Sequence, residues 1–393
     1  MKNTLPAVAL CAVGAEKAVS NELRKLNLKV EESLYGRVRF HADTAGLYQA
    51  LIGLRAADRV LLEAARFNAA GFDALFDGTL GAQWEQIVPK GIGLKVVKVR
   101  SNRSQLKAET SIQAVVHKAA VQRLCGKYKM NRLPEDGKTA EVRVYVEKDT
   151  ASILVDLSGE PLFKRGYRSE GGSAPLRETT AASIILLSGW KRKFPLYDPF
   201  CGSGTILIEA LMYAWDMAPG LGRRFAIEDL LVADSKAERS VRDEFRSKID
   251  FSRLVRIAGS DEDTRSVSIA GSNVERLRDI AEGREPQRGI RVSKSSTAAI
   301  SMKTLPMKEA RSAFTDQGFL ITNPPYGKRL GDQSQSEQIY REMGGLAERF
   351  AGWKLAVITD HSGFESFFGK KADSCREISN GSIPSYFYQY DVI

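Results

Sequence analysis

The chain has 393 residues, too many for one ordinary hydrophobic core, so two or three domains are expected. With 43% hydrophobic and 27% charged residues it speaks against a disordered or membrane-embedded class. The 58 Lys and Arg against 48 Asp and Glu leave a formal charge of +10, a balance that attracts polyanions, nucleic acid first among them.

At the N-terminus, Pro6 and Gly14 interrupt an apolar run, and Glu16 to Leu26 then set Ala18, Val19, Leu23 and Leu26 at helical spacing. This reads as a strand and an amphipathic helix rather than an export signal. No stretch approaches the roughly 18 apolar residues of a membrane helix. "YGRVRFHA" predicts a short alternating strand, and "AGLYQALIGLRAADRVLLEAARF" a helix running into a strand. "GLKVVKVRSNRSQL" is a strand entering a basic turn, "ETSIQAVVHKAAVQRLC" a helix, and "AEVRVYVEKDTASILVDLSG" two strands joined by a charged turn. Such a mixture builds a small α+β region with a partly open sheet. It carries Arg100, Arg103, Lys107, Lys118, Arg123, Lys127, Lys129 and Arg132, which on one face would neutralise several phosphates and otherwise form a solvated surface.

Cys11, Cys125, Cys201 and Cys375 are scattered, and His41, His117 and His361 lie far apart. That pattern points to a reduced, cytoplasmic protein without a metal centre.

From about residue 161 the pattern changes. A Gly-rich, basic connector leads into a helix beginning near Pro175, and "FPLYDPFCGSGTILIEALMYAWDMAPG" follows as strand, glycine loop and helix. Further strands are expected at "LVRIAGSDED", "GIRVSKS", "GFLITNPP" and "WKLAVITD", separated by helical segments. Strands alternating with helices imply a parallel, doubly wound sheet that binds ligands at its carboxyl edge.

Three motifs fall at that edge. In "DPFCGSGT", residues 198 to 205, Gly202 and Gly204 allow a sharp turn, and the helix N-terminus that follows suits an anionic group. The spacing is neither that of a P-loop nor that of a dinucleotide fingerprint. Asp261, with Asp263 as second candidate, ends the next strand, where an acid accepts from ribose hydroxyls; N-capping of the next helix is the alternative role. In "TNPPY" the Asn323 side-chain oxygen and the Pro324 carbonyl offer two acceptors. Pro324 and Pro325 hold them stiffly, and Tyr326 offers a face for a base. A rigid clamp for an exocyclic amine follows, with Lys328 and Arg329 placed for flanking phosphates. Cys201 sits in the glycine turn, which disfavours a cysteine-nucleophile reaction.

"LYDPFCGSGTILIEA", "GSDEDTRSVSIAGSN" and "TNPPYGKRLGD" together resemble the class I S-adenosylmethionine-dependent RNA methyltransferases that carry a THUMP domain, especially those methylating guanine N2 in 23S ribosomal RNA. The likeness covers nearly the whole chain. It implies a Rossmann-like doubly wound methyltransferase domain over 161–393, preceded by a ferredoxin-like subdomain over 1–60 and an RNA-binding THUMP domain over 61–160. By the same likeness, S-adenosylmethionine would lie on Asp198, Phe200, Gly202, Gly204, Thr205 and Asp261. Ala174 and Pro175, preceded by Gly166, Tyr167 and Arg168, would cover its methionine end, and Asn323, Pro324, Pro325 and Tyr326 would be catalytic. Two departures stand out: Ser295, Ser296 and Thr297 occupy the place of an acid near the adenine, and Lys328 replaces a usual Glu. Methylation of tRNA guanine, methylation of DNA adenine N6, and a non-catalytic RNA-binding role are the alternatives.

Overall fold

A computed structural model describes residues 4–168, 176–284, 300–312, 314–325, 333–381 and 383–393. The first half runs β1 (Leu5–Cys11), α1 (Glu16–Lys25), β2 (Lys29–Leu34), β3 (Arg37–Ala42), α2 (Thr44–Gly53), β4 (Ala57–Asn68), α3 (Phe72–Gly81), β5 (Gly93–Asn102), α4 (Glu109–Tyr128), β6 (Thr139–Glu147) and β7 (Thr150–Asp156). These strands form one sheet in the order β2-β3-β1-β4-β7-β6-β5. The boundary expected near residue 60 therefore falls inside a strand. β4 pairs β1 through its first half and β7 through the rest, so the two expected units share a single sheet.

One face of this sheet is apolar and buried against the helices, with Val38, Val60, Val142, Val144 and Ile153 in the core. On the other face Val8, Leu61 and Leu154 form a small apolar strip, and beside it runs a partly buried ladder of ion pairs. Arg37 meets Glu147, Arg39 meets Glu32 and Glu63, and Arg59 and Arg143 share Asp156. The ladder compensates its own charge.

The second half runs α5 (Glu178–Leu187), β8 (Leu196–Asp198), α6 (Thr205–Ala214), α7 (Ser235–Ser247), β9 (Ile257–Asp261), α8 (Thr264–Ala281), β10 (Ile300–Thr304), β11 (Phe319–Thr322), α9 (Gln333–Met343), α10 (Leu346–Arg349), β12 (Lys354–Thr359), α11 (Phe364–Phe368), β13 (Ser374–Asn380) and β14 (Ile383–Tyr390). The sheet order is β10-β9-β8-β11-β12-β14-β13, with β10 to β12 parallel and β14 antiparallel to both its neighbours. Ile184, Ile208, Val274, Ile321 and Ile358 pack on one side; Tyr340, Met343, Leu355, Val357 and Phe364 pack on the other. Helices on both faces explain why the inner strands read as unbroken apolar runs. The strand order reverses between β8 and β11, and that switch point is where such sheets hold ligands.

The edge strand beside β9 was not among those expected from sequence. "GIRVSKS" lies outside the described residues, with Ser295, Ser296 and Thr297, and the strand pairing with β9 is Ile300–Thr304. Alternation of apolar and polar residues occurs in both segments, so sequence pattern alone does not pick out Ile300–Thr304.

The two halves are joined by specific contacts. Gly220 N–H donates to the Ile52 carbonyl at 2.8 Å, and Val13 and Ser379 exchange hydrogen bonds at the free edge of β13. Asp58 of β4 accepts from the Thr179 hydroxyl at 2.5 Å and lies 3.7 Å from Arg177, so the first sheet braces the start of α5.

Candidate active site

β8 ends in Asp198, and the chain turns through residues 199–204 into α6. At Gly204 φ is +80°, and a Cβ there would lie 3.0 Å from Ala270 Cβ, so both the turn and its contact with α8 call for glycine. α6 has no side-chain cap. The N–H groups of its first turn therefore face the loop without an intrahelical partner. Arg168 reinforces the positive end: its guanidinium donates to Thr205 Oγ1 and to the Leu176 carbonyl, both at 3.2 Å, and to Glu178 at 2.8 Å.

Asp261, at the end of β9, holds the loop from the side. One of its oxygens accepts from Gly202 N–H at 2.9 Å and the other from Asp263 N–H at 3.0 Å. Asp263 itself caps α8, and the Ser266 hydroxyl, with the N–H groups of Arg265 and Ser266, donates to its carboxyl and holds it below the usual range. Of the two roles open to it, capping is the one its geometry fills, and Asp261 stands nearer the loop.

Asp198 is buried. It accepts from the Thr322 hydroxyl at 2.6 Å and from Phe200 N–H at 3.0 Å. Burial raises its carboxyl to about 7; those hydrogen bonds oppose the rise, and nearby Asp261 adds to it. Thr322 ends β11, so this one carboxyl ties the glycine loop to the strand that delivers Asn323.

Asn323 is only 9% exposed, and its side-chain oxygen has no hydrogen-bond partner among the described residues. Pro324 beside it is buried and Pro325 half-buried. Leu176, Asp198, Phe200, Cys201, Gly202, Ser203, Thr205, Ile206 and Asn323 surround a cleft with about 360 Å³ of empty space, part of it open to solvent. The glycine loop and the amide therefore face one space. Ala174, Pro175, Tyr326, Lys328 and Arg329 lie outside the described residues. Thr322 and Leu176 were missed from sequence; the hint for Thr322 was a hydroxyl closing an otherwise apolar strand.

The basic residues of the first half are partly neutralised. Arg123 forms a two-point pair with Glu85 at 3.0 and 2.7 Å, Lys127 reaches the same carboxylate at 3.4 Å, and Arg100 meets Glu109 at 2.9 Å. Lys129 closes α4 in a left-handed conformation, and Arg103 is also at positive φ. Among the described residues there is no group of three or more His, Cys, Asp and Glu that could hold a metal ion, and no helix long and apolar enough to cross a membrane.

A doubly wound seven-stranded sheet, with a glycine loop after β8 and an Asn-Pro-Pro at the end of neighbouring β11, defines a methyltransferase domain. Residues 165–389 match the family described as "RMKL-like, methyltransferase domain", and the chain belongs to that family; residues 7–61 match the "RlmL ferredoxin-like domain". It is 34% identical to "Putative RNA methyltransferase YpsC" of Bacillus subtilis (strain 168), over 98% of this chain and 95% of that one. It is 31% identical to the "Ribosomal RNA large subunit methyltransferase K/L" of Methylococcus capsulatus over its full length, and spans 52% of that longer protein. Among solved structures it resembles SMU.472, "a putative methyltransferase complexed with SAH", at a TM-score of 0.85 and 35% identity, covering 100% of this chain and 99% of that one.

Proposed function

We propose that the protein methylates the exocyclic N2 of a guanine in RNA, ribosomal RNA of the large subunit being the substrate, with S-adenosylmethionine as donor. The observation that carries this reading is the buried Asn323 oxygen, without a hydrogen-bond partner among the described residues, in the same cleft as the glycine loop. A buried acceptor without a partner costs about 1–3 kcal/mol, which an amine N–H would recover. The names of the relatives support RNA as the substrate class.

The residues fit the donor. The uncapped start of α6, backed by Arg168, suits its carboxylate, and Asp261 keeps lone pairs for ribose hydroxyls. When bound, the donor supplies a methyl group on a sulfonium. The Asn323 oxygen and the Pro324 carbonyl each accept one N–H of the substrate amine, which draws its lone pair out of conjugation and aims it at the methyl. The two prolines keep these acceptors in place before the substrate arrives, so little entropy is lost on binding. The Arg103, Lys107 and Lys129 region, in the part that resembles a THUMP domain, holds RNA phosphates.

The test is mass-spectrometric mapping of ribosomal and transfer RNA from cells lacking the gene. Loss of one N2-methylguanosine from large-subunit RNA is expected. Loss of a transfer-RNA methylation instead, or an unchanged RNA profile, overturns the assignment.

A further inference from the structure

β11 and β12 are parallel neighbours, with Thr322 opposite Val357. Ile321 and Ile358 belong to the same core on one side of the sheet, whereas Leu320 and Val357 belong to the core on the other. Continuing the alternation past the strand ends puts Asn323, two residues after Ile321, and Asp360, two residues after Ile358, on the same side of the carboxyl edge. In this register Asp360 stands one strand across and one pleat further out than Asn323, a separation of about 8 Å between their Cα atoms at standard strand spacings. That distance admits the edge of one base between the two side chains.

Asp360 is half-buried, and among the described residues it forms no ion pair or hydrogen bond with any other residue. Burial pushes its carboxyl above the ordinary value, while His361 beside it draws it back. Its other neighbours are accounted for. Thr359 bonds the Tyr340 hydroxyl at 2.8 Å, and His361 takes Gly363 N–H on Nδ1 and lies 3.6 Å from Glu337 through Nε2. A partly desolvated carboxylate left unpaired in this way suits a ligand that donates.

We infer that Asp360 reads the guanine, accepting its N1–H while Asn323 holds N2, and so selects guanine over adenine. This rests on the reading of the site as a guanine-N2 methyltransferase. Guanine presents N1–H and N2–H donors side by side. Adenine has a bare N1 lone pair there, which a carboxylate repels.

The test uses the full chain and a synthetic RNA carrying the guanosine identified by mass mapping, beside the same RNA with 2-aminopurine at that position. 2-Aminopurine keeps the amine and lacks N1–H. The wild-type protein should methylate the 2-aminopurine RNA with kcat/KM roughly ten- to a hundredfold lower. Asp360→Asn should lose a similar factor on guanosine and regain activity on 2-aminopurine, because its amide N–H meets N1. Donor affinity by calorimetry should not change. Equal wild-type rates on both RNAs, or full activity of Asp360→Asn on guanosine, would overturn this assignment and leave the methyltransferase reading intact. If the wild-type protein methylates no guanosine at all, both fall together.

Discussion

Asp198 offers the sharpest physical prediction because it ties the two halves of the cleft together while buried. Its carboxyl sits at about 7 in the folded protein against 3.8 in an unfolded chain. Below pH 4 both states are protonated, and the folded state keeps its full benefit from a neutral buried acid. As the pH rises from 4 to 7 the unfolded chain gives up its proton first, so stability is lost through that window and levels off above it. The gap of about three pH units corresponds to roughly 4 kcal/mol at 1.36 kcal/mol per unit, an upper figure for the size of the loss. Asp198→Asn keeps an acceptor for Thr322 and Phe200 and cannot ionise. The variant should therefore gain on the wild type as the pH rises, by up to about 4 kcal/mol at pH 8. Chemical denaturation followed by circular dichroism, without donor, at pH 5 and pH 8 reads the part of that gain lying between pH 5 and 7, about two pH units or roughly 3 kcal/mol. A variant whose stability runs parallel to wild type across that range would refute the buried, protonated assignment.

Asn323→Ala should lower turnover by about 10²–10³-fold or more while donor affinity stays within a few fold, read by methyl-transfer kinetics and calorimetry; loss of both would place Asn323 in the fold instead. Asp261→Ala should weaken donor binding, since it orders the loop through Gly202 and is the residue proposed to accept from the ribose; unchanged affinity removes it from the site. Glu85→Ala frees Arg123 and Lys127, so RNA affinity should rise and its dependence on salt steepen by the equivalent of about one or two phosphates; an unchanged slope would show that these cations do not meet RNA. Gly14→Ala should release the β1 loop from the β13 edge, because φ there is +90° and a Cβ would lie 2.0 Å from the Glu377 carbonyl oxygen; a melting temperature equal to wild type would contradict that contact.

The parallel sheet was legible because its central strands are buried on both sides and leave apolar runs ended by glycine, acid and Asn-Pro-Pro. β10 was not expected, because an alternating strand at the sheet edge is specified by its partner rather than by its own composition. That one sheet continues across the division expected near residue 60 was not legible, since β4 reads as one strand whether it ends one unit or joins two. Charge placement was the least visible feature. The sequence shows Arg123 and Lys127 as free cations on a helix, and only the fold brings Glu85, about 40 residues away, between them. For Asp263 the sequence offered both ribose binding and helix capping, and only the positions of Arg265 and Ser266 show that it caps α8. Asp360 drew no attention because nothing in "VITDHSG" marks it; parallel register with β11 is what brings it beside Asn323.

The central claim is that one oxygen on Asn323 directs a guanine amine at a methyl donor in the adjoining cleft. Purified protein, donor labelled in the methyl group and large-subunit ribosomal RNA should yield label in N2-methylguanosine on nucleoside digestion, with none from Asn323→Ala that still binds donor. Label recovered on another base, or equal labelling by the variant, would contradict it.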